Sequence, residues 1–187
     1  GPNVDSTADN TIMEQVRDGQ VAKLAILFER HHVMLYNFFL RLSGRPGPSE
    51  DLVQEVFVRI LKYRRTYRSE SRFTVWMFQI ARNAHADYLR KLKPEVPIED
   101  QFEEPAGAEP PPAERLEAEV DAALLRQALD RLPLRKREIL LLSRYEDMKY
   151  REIAELLGCS LETIKTSVHR AIRDLRKIYV ELQGGAL

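Results

Sequence analysis

The sequence predicts an all-α protein made of two small helical domains joined by an acidic, proline-rich tether. Apolar residues recur at spacings of 3 and 4 along most of the chain, with hardly any β-type alternation. Glycine is scarce, at 8 of 187 residues. Residues 94–114, with six prolines and seven acids, break the helical pattern once and have little to bury. The expected layout is a disordered tail over 1–12, a first domain over 13–93, the tether over 94–114 and a second domain over 115–183.

The first domain opens with a helical pattern from about Met13, punctuated at Asp18-Gly19. Leu24, Phe28, His32, Leu35, Phe39 and Leu42 then mark a long amphipathic helix that stops at Gly44. Arg45 to Pro48 reads as a turn and Ser49 as the cap of the next helix, with Glu50 and Asp51 on its positive end. Along that helix Leu52, Val53, Val56, Phe57 and Ile60 face inward, while Asp51, Gln54, Glu55, Arg59 and Lys62 face out. A polar loop over 69–71 ends in Ser71, a candidate cap for a helix that stops before Pro94.

In the second domain Leu116, Val120, Leu124 and Leu129 share a stripe, Leu132-Pro133 breaks the chain, and the helix from Leu134 to Arg144 carries an unusually apolar ILLL. Tyr150 to Leu157 is a short helix and Leu161 to Lys177 a longer one. Between them, Gly158-Cys159-Ser160 is a three-residue turn with Ser160 as cap. This is a helix-turn-helix pattern. Ile153, Ala154, Leu157, Ile164 and Val168 would pack the two helices together. Glu162, Thr163, Lys165, Thr166, His169, Arg170 and Arg173 remain outward, toward a major groove.

Charge points the same way. The formal net charge is zero, yet residues 20–93 carry 14 Lys/Arg against 6 Asp/Glu, 94–121 carry 1 against 10, and 122–183 carry 13 against 9. Two basic blocks separated by an acidic strap is the composition of a two-site nucleic-acid binder. In the first block, cations and rings interleave from Tyr63: Arg64, Arg65, Tyr67, Arg68 and Arg72 lead into Phe73, Trp76 and Phe78. Cations neutralise phosphates and flat rings stack on unpaired bases, so the stretch suits single-stranded or opening nucleic acid. Phe73, Met77, Ile80, Ala84 and Tyr88 also share one helical stripe, so these rings are either stacking platforms or core. On the opposite stripe Asn83, Asp87 and Arg90 set an amide, a carboxylate and a guanidinium side by side, groups that read base edges and phosphates.

Other function classes find less support. No apolar run approaches the ~18 residues of a membrane span, and the start of the sequence lacks a signal-peptide layout. One cysteine excludes an internal disulfide and a cysteine-based zinc site, which makes a reducing cytoplasm the expected compartment. Glu29 and His32 have the spacing of a helical metal-ligand pair, but a di-metal bundle needs that motif twice. No phosphate-cradling glycine loop occurs. The reading is therefore a non-enzyme without cofactor or metal.

Three stretches, in order, resemble the extracytoplasmic-function group of the bacterial RNA polymerase sigma factors, in the sigma-70 family. EDLVQEVFVRILKY (50–63) resembles the family's core-polymerase-binding helix. RFTVWMFQIARNAHADYLRK (72–91) resembles its −10 melting and reading helix. LPLRKREILLL (132–142) with YREIAELLGCSLETIKTSVHRAIRDLRK (150–177) resembles its −35 domain. The resemblance implies that Asp51, Gln54, Glu55 and Arg59 bind the clamp helices of core polymerase. It implies that Arg64, Arg65, Tyr67, Arg68, Ser69 and Arg72 in the loop, with Phe73, Trp76, Gln79, Asn83, Asp87 and Arg90 on the helix, catch and open the −10 element. It implies that Ser160, Glu162, Thr163, Lys165, Thr166, His169, Arg170 and Arg173 read the −35 element. The implied partners are core RNA polymerase, through clamp helices and flap, promoter DNA both duplex and single-stranded, and an anti-sigma factor. Ser167 and Ile172 stand where the family often has arginine. A helix-turn-helix regulator working without polymerase is the alternative; it accounts for 122–180 but gives the arginine–aromatic stretch no purpose.

Overall fold

A computed structural model describes residues 2–92, 117–144 and 148–185, with side chains described for 8–92, 122–144 and 148–185. These residues form eight α-helices, two short 3-10 turns and no strand. The chain divides into two compact units, one of residues 1–40 and 46–94, the other of 41–45 and 95–187. The tether expected over 94–114 lies outside the described residues, as do Leu116 and the side chain of Val120.

In the first unit, α1 (Pro2–Arg17) precedes a 3-10 turn (Val21–Lys23), α2 (Leu24–Ser43), α3 (Pro46–Tyr63), a second 3-10 turn (Arg64–Thr66) and α4 (Phe73–Leu92). Helix α3 packs along α4, and α1 packs on α4 and on both 3-10 turns. The core gathers Met13, Val16, Leu27, Leu35, Phe38, Phe39, Val56, Ile60, Met77 and Phe78. Edge-to-face contacts lock its rings, Phe38 against Phe78 at 5.1 Å and against Phe39 at 5.6 Å.

Three sequence expectations change here. The expected tail over 1–12 is instead part of α1: Asp9 is buried, and Asn10 Oδ1 accepts a 2.7 Å hydrogen bond from Phe73 N–H. Asn10 thus satisfies an open donor at the start of α4. The buried stripe of α2 begins at Leu27 and His31; Phe28 is exposed, stacked flat on His32 at 4.8 Å and edge-on to Phe57 at 5.0 Å. Helix α3 starts at Pro46, not after Ser49, because proline fits the first helical turn; Ser49 is buried inside the helix.

The second unit holds α5 (Glu117–Arg131), α6 (Leu134–Arg144), α7 (Tyr150–Leu157) and α8 (Leu161–Gly184), and α5, α6 and α7 all pack on α8. Helix α8 runs seven residues beyond the predicted Lys177. All four residues of the 139–142 run are buried. The inward-facing leucine of α7 is Leu156, at 5% exposure, rather than Leu157. Arg137, unnoticed in the sequence, donates to the Leu129, Asp130 and Leu132 carbonyls at 2.8–2.9 Å and closes the C-terminal end of α5. Burial pushes its guanidinium pKa down and the Asp130 carboxyl up.

Candidate nucleic-acid interface

The first-unit candidates divide between core and surface. Tyr67 and Phe73, expected on the strand-opening face, are fully buried, so neither ring is presented for stacking. The Tyr67 hydroxyl has no hydrogen-bond partner, and burial, ahead of the negative charge of Glu14, pushes its pKa up to about 12. The two rings carry Trp76 instead. Tyr67 meets it edge-on at 5.2 Å, and Phe73 lies 6.3 Å away, leaving the indole half-buried at the surface.

Arg64 also turns inward. Its Nη1 donates to the Leu61 carbonyl at 2.8 Å, and Thr66 Oγ1 donates to the Tyr63 carbonyl at 2.7 Å, so both tie off the end of α3. Arg65, Arg68 and Ser69 are exposed in the loop, and Arg72 is half-buried. Arg17 on α1 reaches the Tyr67 carbonyl at 3.5 Å, so this loop is braced from the N-terminal side.

A cleft of about 450 Å³ opens between α3 and α4. Trp76, Gln79, Asn83, Asp87 and Arg90 line it from α4, with Arg59, Tyr63 and Thr66 opposite. Five of the sequence candidates on α4 therefore converge on one concavity: a ring, two amides, a carboxylate and a guanidinium. That set can stack on a planar group and both donate to and accept from its edge. On α3, Asp51, Gln54 and Glu55 are exposed, as expected. Arg59 differs. It is turned toward α4, with Nε on Glu55 Oε1 at 2.8 Å and Nη2 on Asp87 Oδ2 at 2.9 Å, while Asp87 Oδ1 takes Arg90. Arg90 first and Arg59 second hold the Asp87 carboxyl below its usual range.

In the second unit the turn is built as the sequence requires. Gly158 has φ +68°; its N–H donates to the Glu155 carbonyl, and Cys159 N–H donates to the Ala154 carbonyl, a Schellman ending for α7. Ser160 Oγ accepts from Thr163 N–H at 3.1 Å and starts α8. Glu162, Thr163, Lys165, Thr166, His169, Arg170 and Arg173 are all exposed along one side of α8, and Ser160 is exposed at its start. Ile164, Val168 and Ala171 are buried on the other side. Glu162 and Lys165 pair at 3.6 Å, a surface contact of little energetic weight. Lys136 on α6 pairs with Asp174, which flanks the exposed face beside Arg173, and so ties that edge of α8 to α6.

Among the described residues no group of three or more metal-ligating side chains occurs, and no helix is long and apolar enough to cross a membrane.

Comparison with known proteins places the chain among relatives along most of its length. Residues 27–95 match the family model described as Sigma-70 region 2, and 122–175 match Sigma-70, region 4. The chain is 32% identical over 174 residues to RNA polymerase sigma factor CarQ of Myxococcus xanthus, covering 91% of this chain and 97% of that protein. It is 30% identical over 166 residues to ECF RNA polymerase sigma factor SigL of Mycobacterium tuberculosis, covering 87% and 92%. Among solved structures, it is similar to the sigma factor RpoE in complex with the anti-sigma factor NepR from Bartonella quintana, with a TM-score of 0.66 and 25% identity over 82% of this chain and 94% of that one. The fold also matches CnrH in complex with the cytosolic domain of CnrY, with a TM-score of 0.69 and 22% identity over 91% and 96%.

Proposed function

The chain belongs to the sigma-70 family of bacterial RNA polymerase sigma factors, in its extracytoplasmic-function group, and from that premise we propose that it mounts on core polymerase through α3 and opens promoter DNA with α4. In this reading Asp51, Gln54 and Glu55 meet the clamp helices, and the exposed side of α8 reads the −35 element as a major-groove helix. The protein directs initiation without catalysing a reaction of its own and needs no cofactor. An anti-sigma factor holds it inactive, a reading supported by the related RpoE, solved with NepR. The compartment is the cytoplasm, where polymerase and promoter meet.

The observation that carries this reading is the cleft beside Trp76. A strand-opening protein must offer an extruded base something to replace the stack it leaves, worth about 1–3 kcal/mol per base from an aromatic surface. Trp76 offers its ring, and Gln79 and Asn83 offer both donors and acceptors for a base edge. Exposed Arg65 and Arg68 supply phosphate neutralisation in the adjoining loop. Tyr67 and Phe73 serve from below, as the floor that keeps the indole upright.

A promoter duplex carrying a fluorescent base analogue in its −10 element tests the proposal. Fluorescence should rise with this chain plus core enzyme and stay flat with either alone. Trp76→Ala should lower the rise at least tenfold while core binding persists. A flat signal with wild-type chain and core enzyme together, alongside duplex binding by the chain alone, would favour a polymerase-independent regulator instead.

A further inference from the structure

Four side chains form a line of alternating charge from α3 to α4: Glu55, Arg59, Asp87 and Arg90. Each inner group divides itself between two neighbours with separate atoms. Arg59 gives Nε to Glu55 and Nη2 to Asp87; Asp87 gives Oδ2 to Arg59 and Oδ1 to Arg90. Exposure rises toward both ends, from 21% at Arg59 to 47% at Glu55 in one direction, and through 39% at Asp87 to 63% at Arg90 in the other. The ends are therefore what partners can reach, and the shielded Arg59 is what joins them.

We propose that Arg59 is a positioning residue that couples docking on α3 to nucleic-acid binding on α4, by dividing its guanidinium between Glu55 and Asp87. This rests on the reading of α3 as the polymerase face and α4 as the promoter face. A cationic group of the docked partner draws the Glu55 carboxylate away. The Arg59 fork, planar and built for two parallel hydrogen bonds, then closes on Asp87 with both arms. Asp87, satisfied by one cation, releases the other, and Arg90 becomes free to pair with a phosphate at the mouth of the cleft. No proton moves and no covalent bond forms or breaks; two ion pairs exchange partners and the third, Arg59–Asp87, becomes bidentate. Reciprocity is built in: a phosphate on Arg90 returns Asp87 to Arg59 and frees Glu55 for the docked partner.

The carboxylate explains why such a device is needed. Asp87 lines a cleft that must approach polyanionic DNA, and a bare charge there would repel it. The lowered Asp87 and raised Arg59 pKa values agree with a line in which each charge favours the next.

A mutant cycle in the reconstituted holoenzyme tests the coupling. Affinity for a fluorescent promoter with a pre-opened bubble is measured for Glu55→Gln, Arg90→Gln and the pair, first in the wild-type background and then with Arg59→Gln. The two end substitutions do not touch, yet they should be non-additive by about three- to tenfold, within the range found for members of one ion-pair network. With Arg59→Gln the effects should become additive. Additivity in both backgrounds would overturn the proposal, leaving Arg59 as a staple between helices. Equal non-additivity in both would also overturn it, by showing another route. Arg59→Lys guards against a folding defect. It keeps the charge that a staple needs but loses the fork, so coupling should vanish in a folded protein; coupling that survives would refute the division of the guanidinium. Failure of the wild-type chain to bind core enzyme would instead sink the assignment of the two faces, and it is read before any variant is made.

Discussion

Asp9 shows how much one residue near the start of the sequence contributes. Its carboxylate is enclosed by Arg30 Nη1 at 2.9 Å and His31 Nε2 at 2.8 Å, and the His31 ring leans on Phe73 at 5.4 Å. Burial alone would push the Asp9 carboxyl up; the hydrogen bonds from His31 and Arg30 outweigh it and hold the pKa below 3.8. A depressed acid stabilises the fold above its unfolded value and loses that contribution as pH falls through the folded one. Asp9→Asn should therefore cost about 2 kcal/mol at pH 7, the scale of hydrogen bonds to a charged group. It should also flatten the loss of stability that wild type shows as pH falls below the ordinary aspartate range, measured by urea titration at each pH. Nothing in the sequence distinguished Asp9 from the polar residues beside it, because its partners lie 21 and 22 residues away. Tyr67 was misplaced for a related reason, while Phe73, left open between stacking platform and core, is core. Spacing shows that rings share a stripe, but only packing decides which stripe meets solvent. Asn83, Asp87 and Arg90 do share one outward face, since polar groups at spacings of 4 and 3 rarely find a buried face to occupy.

At the scale of single elements, periodicity carried far. The cores of α3, α4 and α8 follow their apolar stripes, and the α7–α8 turn was legible because its chemistry is local. Gly158 at φ +68° and Ser160 on the Thr163 N–H need no distant contact to be recognised. A Cβ at Gly158 would meet nothing within 4 Å, so its replacement carries only the left-handed backbone penalty. Gly158→Ala should accordingly destabilise the second unit by about 1 kcal/mol, with Gly158→Asn costing less. Denaturant midpoints of the two variants check this; an unchanged midpoint for the alanine variant would contradict the assigned turn. Capping partners, more than boundaries, resisted prediction where they are distant in sequence. Helix α4 receives an acceptor from Asn10, 63 residues earlier, and α5 is closed by Arg137 of the following helix.

For the whole molecule, the segregation of charge was visible at once and stands behind the proposed two-point grip on a promoter. Each basic unit should contribute its own share of counterion release. Arg170, exposed on α8, represents one phosphate contact in that account. Arg170→Ala should lower the slope of log affinity against log salt by about 0.9 for duplex containing the −35 element. A fall in affinity with an unaltered slope would mean that Arg170 meets a base or an uncharged group. Family membership, by contrast, rested on no single motif but on three arriving in a fixed order.

The amide that α1 lends to Phe73 has a practical corollary. Trimming the chain from its front end would be harmless up to a point and then abruptly not so, because Asn10 directly, and Asp9 through His31, hold from outside the first turn of the helix proposed to face the promoter. A shortened version lacking them would misreport the protein's DNA affinity even if it folded.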